Sequence, residues 1–138
     1  MTGELTAALA AEYAAIFAYG PIGVKLTGAE QTEARAAEAA HRTLRDALVL
    51  ALDASAVPPA AAAYTLPEPV VDRGAALRVA VAVEEKAAAV WRAALPATTG
   101  PQRRQALDAL TGCAVRATRW RRRAELTPLT VPFPGKTP

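Results

Sequence analysis

The sequence predicts an all-α protein built as a four-helix bundle. Apolar residues make up 52% of the 138 positions, but aromatic residues make up only 5%, and about a quarter of the chain is alanine. Alanine is the strongest helix former, and the runs of β-branched or aromatic residues that favour strands are missing. A chain of this length is long enough for one domain with a real core. We therefore expect closely packed helices rather than a sheet.

Proline and glycine divide the chain into four helical segments. The predicted helices run from Thr2 to about Leu26, from 31 to 54, from about Gly74 to Leu95, and from about Pro101 to Glu125. Pro21 is expected to kink or locally interrupt the first helix, whereas Pro101 suits the first turn of the fourth. We expect a bundle domain over 1–126 and a proline-rich C-terminal tail over 127–138, which lies on the bundle or trails into solvent.

The connections between the helices predict how the chain winds. Short links join helices one and two and helices three and four, but a long proline-rich crossover over 55–72 separates helices two and three. A connection of this length lets the chain return along the whole bundle, so an up-down-down-up order of helices becomes accessible. The crossover is expected to pack on the bundle through four apolar anchors, Tyr64, Leu66, Val70 and Val71.

Charge and cysteine content favour a soluble protein. The single cysteine, Cys113, excludes an internal disulfide, and no signal peptide or run of about 18 apolar residues is recognised. We therefore expect a cytoplasmic protein without a membrane segment. The net charge of +3 comes mainly from the basic segment "RATRWRRR" at 116–123. It is interpreted as a solvated helix end, with a phosphate-contacting patch as the alternative, and nucleic acid is not an expected partner.

Three of the predicted helices carry a carboxylate in the middle of an apolar stripe. Apolar residues at spacings of three and four flank Glu12 in helix one, Glu38 in helix two and Glu84 in helix three. His41 follows Glu38 by three residues and so shares its helix face. Burying an unpaired carboxylate is costly, so three at matching depth require a common partner.

This pattern resembles the di-iron carboxylate proteins of the ferritin-like superfamily. In those bundles, two helices each supply a Glu and the other two each supply a Glu-x-x-His. Glu12 and Glu84 match the single glutamates, and Glu38 with His41 matches the first Glu-x-x-His. More narrowly, the chain resembles an actinobacterial ferritin-like domain family of unknown function. The segments that carry this resemblance are "LAAEYAAIFAYG", "AAHRTLRDAL", "AAYTLPEPVVD", "ATRWRRR" and "VPFPG". It covers nearly the whole chain and implies a ferritin-like bundle.

The fourth helix departs from the di-iron pattern. Ala114 and Ala117, or Cys113 and Arg116, stand where the second Glu-x-x-His is expected. With two of the six ligands missing, a dinuclear centre lacks the charge and the donors to hold two cations. We therefore expect no working di-iron site.

Three hypotheses account for the remaining polar residues. We favour a metal-free buried polar cluster, in which arginines replace the metal, formed by Glu12, Glu38, His41, Arg45, Glu84 and Arg116. Arg119 is the alternative to Arg116 as the arginine that reaches inward from helix four. The alternative is a single-metal remnant that holds iron or manganese with Glu12, Glu38, His41 and Glu84. In the third hypothesis, these residues merely border the surface.

These observations leave two classes of function open. The favoured prediction is a non-catalytic bundle protein of unknown specific role, with a degenerate di-iron site and no cofactor. The alternative is a metal-binding protein or metal-dependent oxidoreductase with a reduced ligand set. A homodimer is expected because the small apolar faces of the helices exceed what a four-helix core can cover. Two candidate faces are Ala36, Ala40 and Thr43 in helix two, or Val79, Ala82 and Val83 in helix three, and the sequence does not choose between them. The sequence identifies no small-molecule ligand.

The remaining conspicuous side chains are assigned structural roles. The aromatic residues at helical spacings are expected to pack in the core or an interface rather than bind a cofactor; they are Tyr13, Tyr19, Trp91 and Trp120. Cys113 lies on an alanine-rich face and is expected to be a small inert hydrophobe, with a reactive thiol beside Arg116 as the alternative.

Overall fold

The computed structural model describes residues 2–61 and 63–137 and contains four α-helices. The helices are α1 (Thr2–Val24), α2 (Gly28–Ala51), α3 (Arg73–Ala94) and α4 (Gly100–Arg123), and one turn of 3-10 helix covers Ala54–Ala56. This described part of the chain contains no strand. The predicted all-α fold with four helices is therefore confirmed, and the helix ends differ from the predicted ones by a few residues.

Helix α1 continues through Pro21 and ends at Val24. Proline removes one backbone donor, so an interruption was expected at this point. Two fully buried residues, Ile22 and Leu26, follow the proline, and their packing in the core holds the last turn in place. The predicted interruption is wrong because tertiary packing outweighs the local preference.

Length and composition would by themselves allow α1 to cross a membrane. The segment Gly3–Val24 contains an 18-residue window with a mean hydropathy of 1.3, so the expectation that no segment reaches this level is wrong. The core helix of a soluble protein and a signal sequence give the same pattern, which is therefore weak evidence. In this fold, Glu12 lies fully buried in the middle of α1.

Two hydrophobic clusters at opposite ends of the bundle give the direction of each helix. The first cluster contains Leu5 and Leu9 of α1, Leu48 of α2, Trp91 of α3 and Ala106 of α4. The second cluster contains Ile22 of α1, Ala34 of α2, Leu77 of α3 and Trp120 of α4. The start of α1 thus meets the ends of α2 and α3 and the first half of α4. Helices α2 and α3 therefore run opposite to α1, and α4 runs with it.

The connector from α2 to α3 contacts both ends of the bundle. Val57 packs against the first cluster, and Leu66 and Val70 pack against the second. Between them, the ring of Tyr64 lies against an aromatic ring of α1, with the ring centroids 5.5 Å apart. Val71 is 68% exposed, so its predicted role as an anchor is wrong.

The C-terminal segment, defined here as residues 127–137, lies across α3 and α4. Arg121 of α4 donates a hydrogen bond to the carbonyl oxygen of Pro128 at 3.2 Å. Arg92 of α3 donates to the carbonyl oxygen of Pro134 at 3.0 Å. These two bonds attach the segment near both of its ends.

Replacement of Gly135 by alanine is expected to loosen this segment. Gly135 has a φ of +78°, and an added Cβ would lie 2.5 Å from the carbonyl oxygen of Ala88. We expect faster amide hydrogen exchange over 128–137 in Gly135→Ala, with little change in the exchange of the four helices.

The matched control is Gly20→Ala, which adds the same methyl group inside α1 where nothing lies within 4 Å. This variant should be stabilised by up to about 1 kcal/mol, because alanine is the better helix former. Wild-type exchange in the C-terminal segment of Gly135→Ala would contradict the close contact with α3.

Candidate buried charge cluster

Glu12, His41 and Glu84 meet at the middle of the bundle. They belong to α1, α2 and α3 respectively, and each is 0% exposed. Buried alanines lie near them on the same helices, including Ala15 on α1 and Ala37 on α2. Because the distance between packed helices depends on the side chains at the contact, these alanines allow a close approach.

His41 bridges the two carboxylates. Its Nδ1 atom lies 2.5 Å from Oε2 of Glu12, and its Nε2 atom lies 2.9 Å and 3.1 Å from the two carboxylate oxygens of Glu84. An ionised carboxylate only accepts hydrogen bonds, so both ring nitrogens must donate. Between two ionised carboxylates, His41 is therefore a doubly protonated imidazolium.

The pKa of His41 agrees with this assignment. Burial by itself would lower the pKa, but the hydrogen bonds and negative charges of Glu12 and Glu84 outweigh burial. They raise the pKa from 6.5 to about 9. The imidazolium is consequently the dominant form at neutral pH.

The fourth helix supplies the second positive charge. Nε of Arg116 in α4 donates to Oε1 of Glu84 at 3.0 Å. Glu12 and Glu84 thus face one imidazolium, that of His41, and one guanidinium. The cluster is electrically balanced, and every helix of the bundle contributes one charged side chain. Such balance is what makes burial of four charges tolerable.

The charges of Glu84 and Arg116 support each other. Burial would raise the pKa of Glu84, but the hydrogen bond and charge of His41 and the charge of Arg116 hold the pKa below its usual value. Burial would lower the pKa of Arg116, and the charge of Glu84 raises it above its usual value instead. Both groups therefore remain ionised in the folded protein.

Three aromatic side chains donate hydrogen bonds within the cluster. The Tyr19 hydroxyl donates to Glu84 at 2.5 Å, the Trp91 indole donates to Glu12 at 2.8 Å, and the Trp120 indole donates to the Tyr19 hydroxyl oxygen at 2.9 Å. Tyr19 follows Glu12 in α1, and Trp91 follows Glu84 in α3, by about two helical turns. Because α1 and α3 are antiparallel, each aromatic donor reaches the carboxylate of the other helix.

The aromatic side chains of Tyr19, Trp91 and Trp120 were predicted to pack in the core or an interface, and their place in the cluster was not predicted. A sequence signal for two of them exists, because Tyr19 and Trp91 share a helix face with the buried carboxylates Glu12 and Glu84. A buried Tyr or Trp needs a partner for its polar atom. Among the described residues, no buried side-chain nitrogen or oxygen lacks a hydrogen-bond partner.

Burial keeps two further groups neutral. Burial, followed by the charge of Glu84, raises the pKa of Tyr19 well above 10, so its hydroxyl remains a donor. Burial likewise raises the pKa of the Cys113 thiol far above its usual value, and the Cys113 sulfur accepts a 3.5 Å hydrogen bond from Arg116. A thiol in this environment is a poor nucleophile. This state matches the inert role predicted for Cys113 rather than the reactive alternative.

Two predicted members of the cluster, Glu38 and Arg45, lie outside it. The Glu38 side chain is 30% exposed and pairs with Arg42 at 3.5 Å. The Arg45 side chain is 26% exposed and pairs with Asp46 at 2.9 Å. The predicted inward orientation of Glu38 and Arg45 is therefore wrong, whereas the other four predicted residues converge.

The rotation of α2 explains this correction. Its buried face contains Ala34, Ala37, His41 and Leu48, with Leu44 packed at the edge. The spacing along this face is three, four, three, four. The predicted face had the spacing four, three, four, three and consisted of Ala34, Glu38, His41, Arg45 and Leu48. Both spacings fit a period of about 3.5 residues and share the same three residues, so the sequence pattern alone does not separate them.

The residues present do not fit the metal centre that the ferritin-like resemblance implies. Within the described parts of the chain, no group of three or more His, Cys, Asp and Glu side chains is arranged to hold a metal ion. Both nitrogens of His41 carry protons directed at carboxylates, and a metal ligand needs a free nitrogen lone pair. The guanidinium of Arg116 also forms an ion pair with one carboxylate oxygen of Glu84, the atom that a metal ion would need as a ligand.

The basic segment 116–123 divides into inward, paired and unpaired arginines. Three of them form ion pairs: Arg116 with Glu84, Arg121 with Glu85, and Arg123 with Glu33. Arg119 and Arg122 form no ion pair with any residue that the structure describes. The segment is therefore only partly the solvated helix end that the sequence predicts.

Comparisons with known proteins give a family but no role. The profile described as "Domain of unknown function (DUF4439)" matches residues 4–138. A similar crystal structure is that of a conserved hypothetical protein, rv2844, from Mycobacterium tuberculosis, with a TM-score of 0.82 and 39% sequence identity. The match covers 87% of this chain and 93% of that chain. No curated protein is significantly similar in sequence.

The free energy of unfolding is expected to fall as the pH rises from 7 to 8. The pKa of His41 is about 9 in the folded protein and near 6.5 when the chain is unfolded, so its contribution is complete below pH 6.5 and is lost as the pH approaches 9. Over this one unit, urea unfolding should show a decrease of about 1 kcal/mol.

The control for this pH dependence is His41→Gln, because this chain has one histidine. The variant should be less stable at neutral pH and should lose most of the decrease between pH 7 and 8. An equal decrease in the variant would show that another group titrates and that the His41 assignment is wrong.

Proposed function

The chain belongs to the DUF4439 family, and we propose that it is a non-catalytic, ferritin-like helical bundle in which a balanced charge cluster replaces a di-iron centre. The observation that carries this proposal is the pair of contacts that commits both nitrogens of His41 to Glu12 and Glu84. A group held in this way has neither a free lone pair nor contact with solvent. The cluster is suited to holding the helices together rather than to chemistry.

The helix order supports the ferritin-like part of the proposal. Helices α2 and α3 run in the same direction, and a long connector joins them, as in ferritin-like bundles. The buried carboxylates Glu12 and Glu84 lie on the helices that supply the single glutamates in that superfamily. In α4, Ala117 is buried and Arg116 reaches Glu84, so the helix contributes a cation in place of ligands.

The charge balance supports a protein without a metal cofactor. Glu12 and Glu84 are already neutralised by His41 and Arg116, so a divalent cation would add two positive charges to a balanced interior. Such an excess is costly in a buried site. The alternative function is that of a metal-binding protein or metal-dependent oxidoreductase with a reduced ligand set. The chelation experiment described below distinguishes it from the metal-free cluster.

We also propose a soluble cytoplasmic homodimer that pairs through the outer face of α2. The residues Ala36, Ala40, Thr43, Ala47 and Leu50 repeat at spacings of four and three on this face, at whose edge Ala40 and Thr43 border a groove beside α4. Leu50 is 88% exposed, and small residues at the other positions would allow a second helix to approach closely. Nucleic acid is not proposed as a partner, because most of the basic segment is engaged in ion pairs.

The metal-free cluster is tested by chelation and by Glu12→Ala. This variant removes the acceptor for His41 and Trp91. We expect a loss of about 1–3 kcal/mol in the free energy of unfolding, equal with and without a strong chelator. The wild-type melting temperature should also be unchanged by the chelator, and elemental analysis should show no stoichiometric iron, manganese or zinc.

The matched control is Glu38→Ala, because the metal hypothesis includes Glu38 and the observed geometry does not. We expect a change of less than about 0.5 kcal/mol for this exposed pair. A melting temperature that falls with chelator and recovers with ferrous or manganous ion would overturn the proposal in favour of a metal protein.

The dimer is tested by light scattering at micromolar concentration. The wild-type protein should have twice the mass of one chain, and Ala36→Arg should have the mass of one chain because a long charged side chain at this exposed position prevents close helix pairing. Ala93→Arg places the same change on an exposed position of α3 and should remain dimeric. A monomeric wild type would contradict the proposed dimer without affecting the metal-free cluster.

A further inference from the structure

A cavity of about 710 Å³ lies between the C-terminal segment and the outer face of α3 and α4. Its floor consists of small or aliphatic side chains of the helices, Ala88, Leu110, Ala114 and Ala117. Its roof consists of three apolar side chains of the C-terminal segment, Leu129, Val131 and Phe133. The volume lies within the range of small-molecule sites, and the apolar walls are typical of them.

The attachment of the C-terminal segment explains why the cavity stays open. The segment is hydrogen-bonded to the helices at Pro128 and Pro134, and Gly135 lies against the backbone of α3. Prolines at these points restrict the backbone between the attachments. Phe133 and Val131 line the cavity but remain 61% and 42% exposed, so these two side chains are not fully packed onto the helices.

The charged residues at the cavity are mostly positive. Arg121 is neutralised by Glu85, and Arg92 donates to a backbone carbonyl oxygen. Arg119 and Arg122 also line the cavity and have no ion-pair partner among the described residues. A guanidinium binds carboxylate and phosphate groups through several fixed donors. The cavity therefore combines an apolar interior with two arginines that form no ion pair among the described residues, and the same arginines border a polar groove that contains Glu30, Glu33 and Glu125.

We propose that this cavity binds an amphipathic anion, consisting of an apolar chain or ring with one carboxylate or phosphate headgroup. The apolar part lies between the C-terminal segment and the floor, and the headgroup pairs with Arg119 and Arg122. This site is separate from the buried cluster, because Arg116 points inward and the two unpaired arginines lie at the outer cavity. The inference is independent of the proposed metal-free function.

Isothermal titration with four ligands tests the proposal: decanoate, decyl phosphate, decanol and acetate. Binding of decanoate or decyl phosphate should be at least about tenfold tighter than binding of decanol or acetate, and should weaken as salt is raised. The tighter of the two anions identifies the headgroup. Equal binding of decanol, or no binding of either long-chain anion, would overturn the proposal.

Two sets of variants locate the site. Arg119→Gln with Arg122→Gln should weaken binding of the long-chain anion by about tenfold or more, because the paired cations are lost. Arg103→Gln with Arg104→Gln makes the same charge change at the other end of α4 and should leave binding within about twofold. Equal effects of the two double variants would show nonspecific attraction and overturn the site.

The proposed binding of the apolar part of the ligand is tested by placing a larger side chain on the floor of the cavity. Ala114→Phe should weaken binding of the long-chain anion by about tenfold or more, because its ring occupies the cavity. Phe133→Ser removes part of the roof without touching the helical core and should also weaken binding. Circular dichroism selects the variants that remain folded, and unchanged affinity in a folded variant of either kind would contradict the location.

Discussion

A protonated histidine between two carboxylates connects three of the four helices in the interior of this protein. His41 of α2 donates to Glu12 of α1 and Glu84 of α3, and Arg116 of α4 completes the charge balance. A shift of any helix by one turn would leave a buried charge without its partner, which costs far more than an apolar mismatch. The cluster therefore fixes the relative register of all four helices, which alanine-rich surfaces alone define only weakly.

The arginines of α4 have two roles, one in the interior of the bundle and one at its outer surface. Arg116 points inward and satisfies Glu84, whereas Arg119 and Arg122 lie at the outer cavity without an ion pair among the described residues. A helix turns by about 100° per residue, so a dense run of cations necessarily distributes over several directions. The basic segment thus stabilises the interior at one position and places arginines at the outer cavity at others.

Much of the fold was predictable from local properties of the sequence. The alanine content and the spacing of the prolines predicted four helices, because helix propensity and proline geometry act within a few residues. The buried positions of Glu12, His41 and Glu84 were also predictable, since each lies at the centre of an apolar stripe. The need for a positive partner also followed from the missing ligands of α4, but the sequence offered Arg45, Arg116 and Arg119, and only Arg116 contacts Glu84.

Only the tertiary structure decided which neighbours complete the cluster. The sequence pattern was read with Glu38 facing inward. A period near 3.5 residues allows either Ala37 or Glu38 at that position. Contacts with α1 and α3 set the rotation of α2, and Ala37 is the buried residue. Tyr19 and Trp91 donate to carboxylates on other helices, so no local pattern states their targets. The helices follow from interactions along the chain, whereas hydrogen-bond partners depend on how separate helices meet.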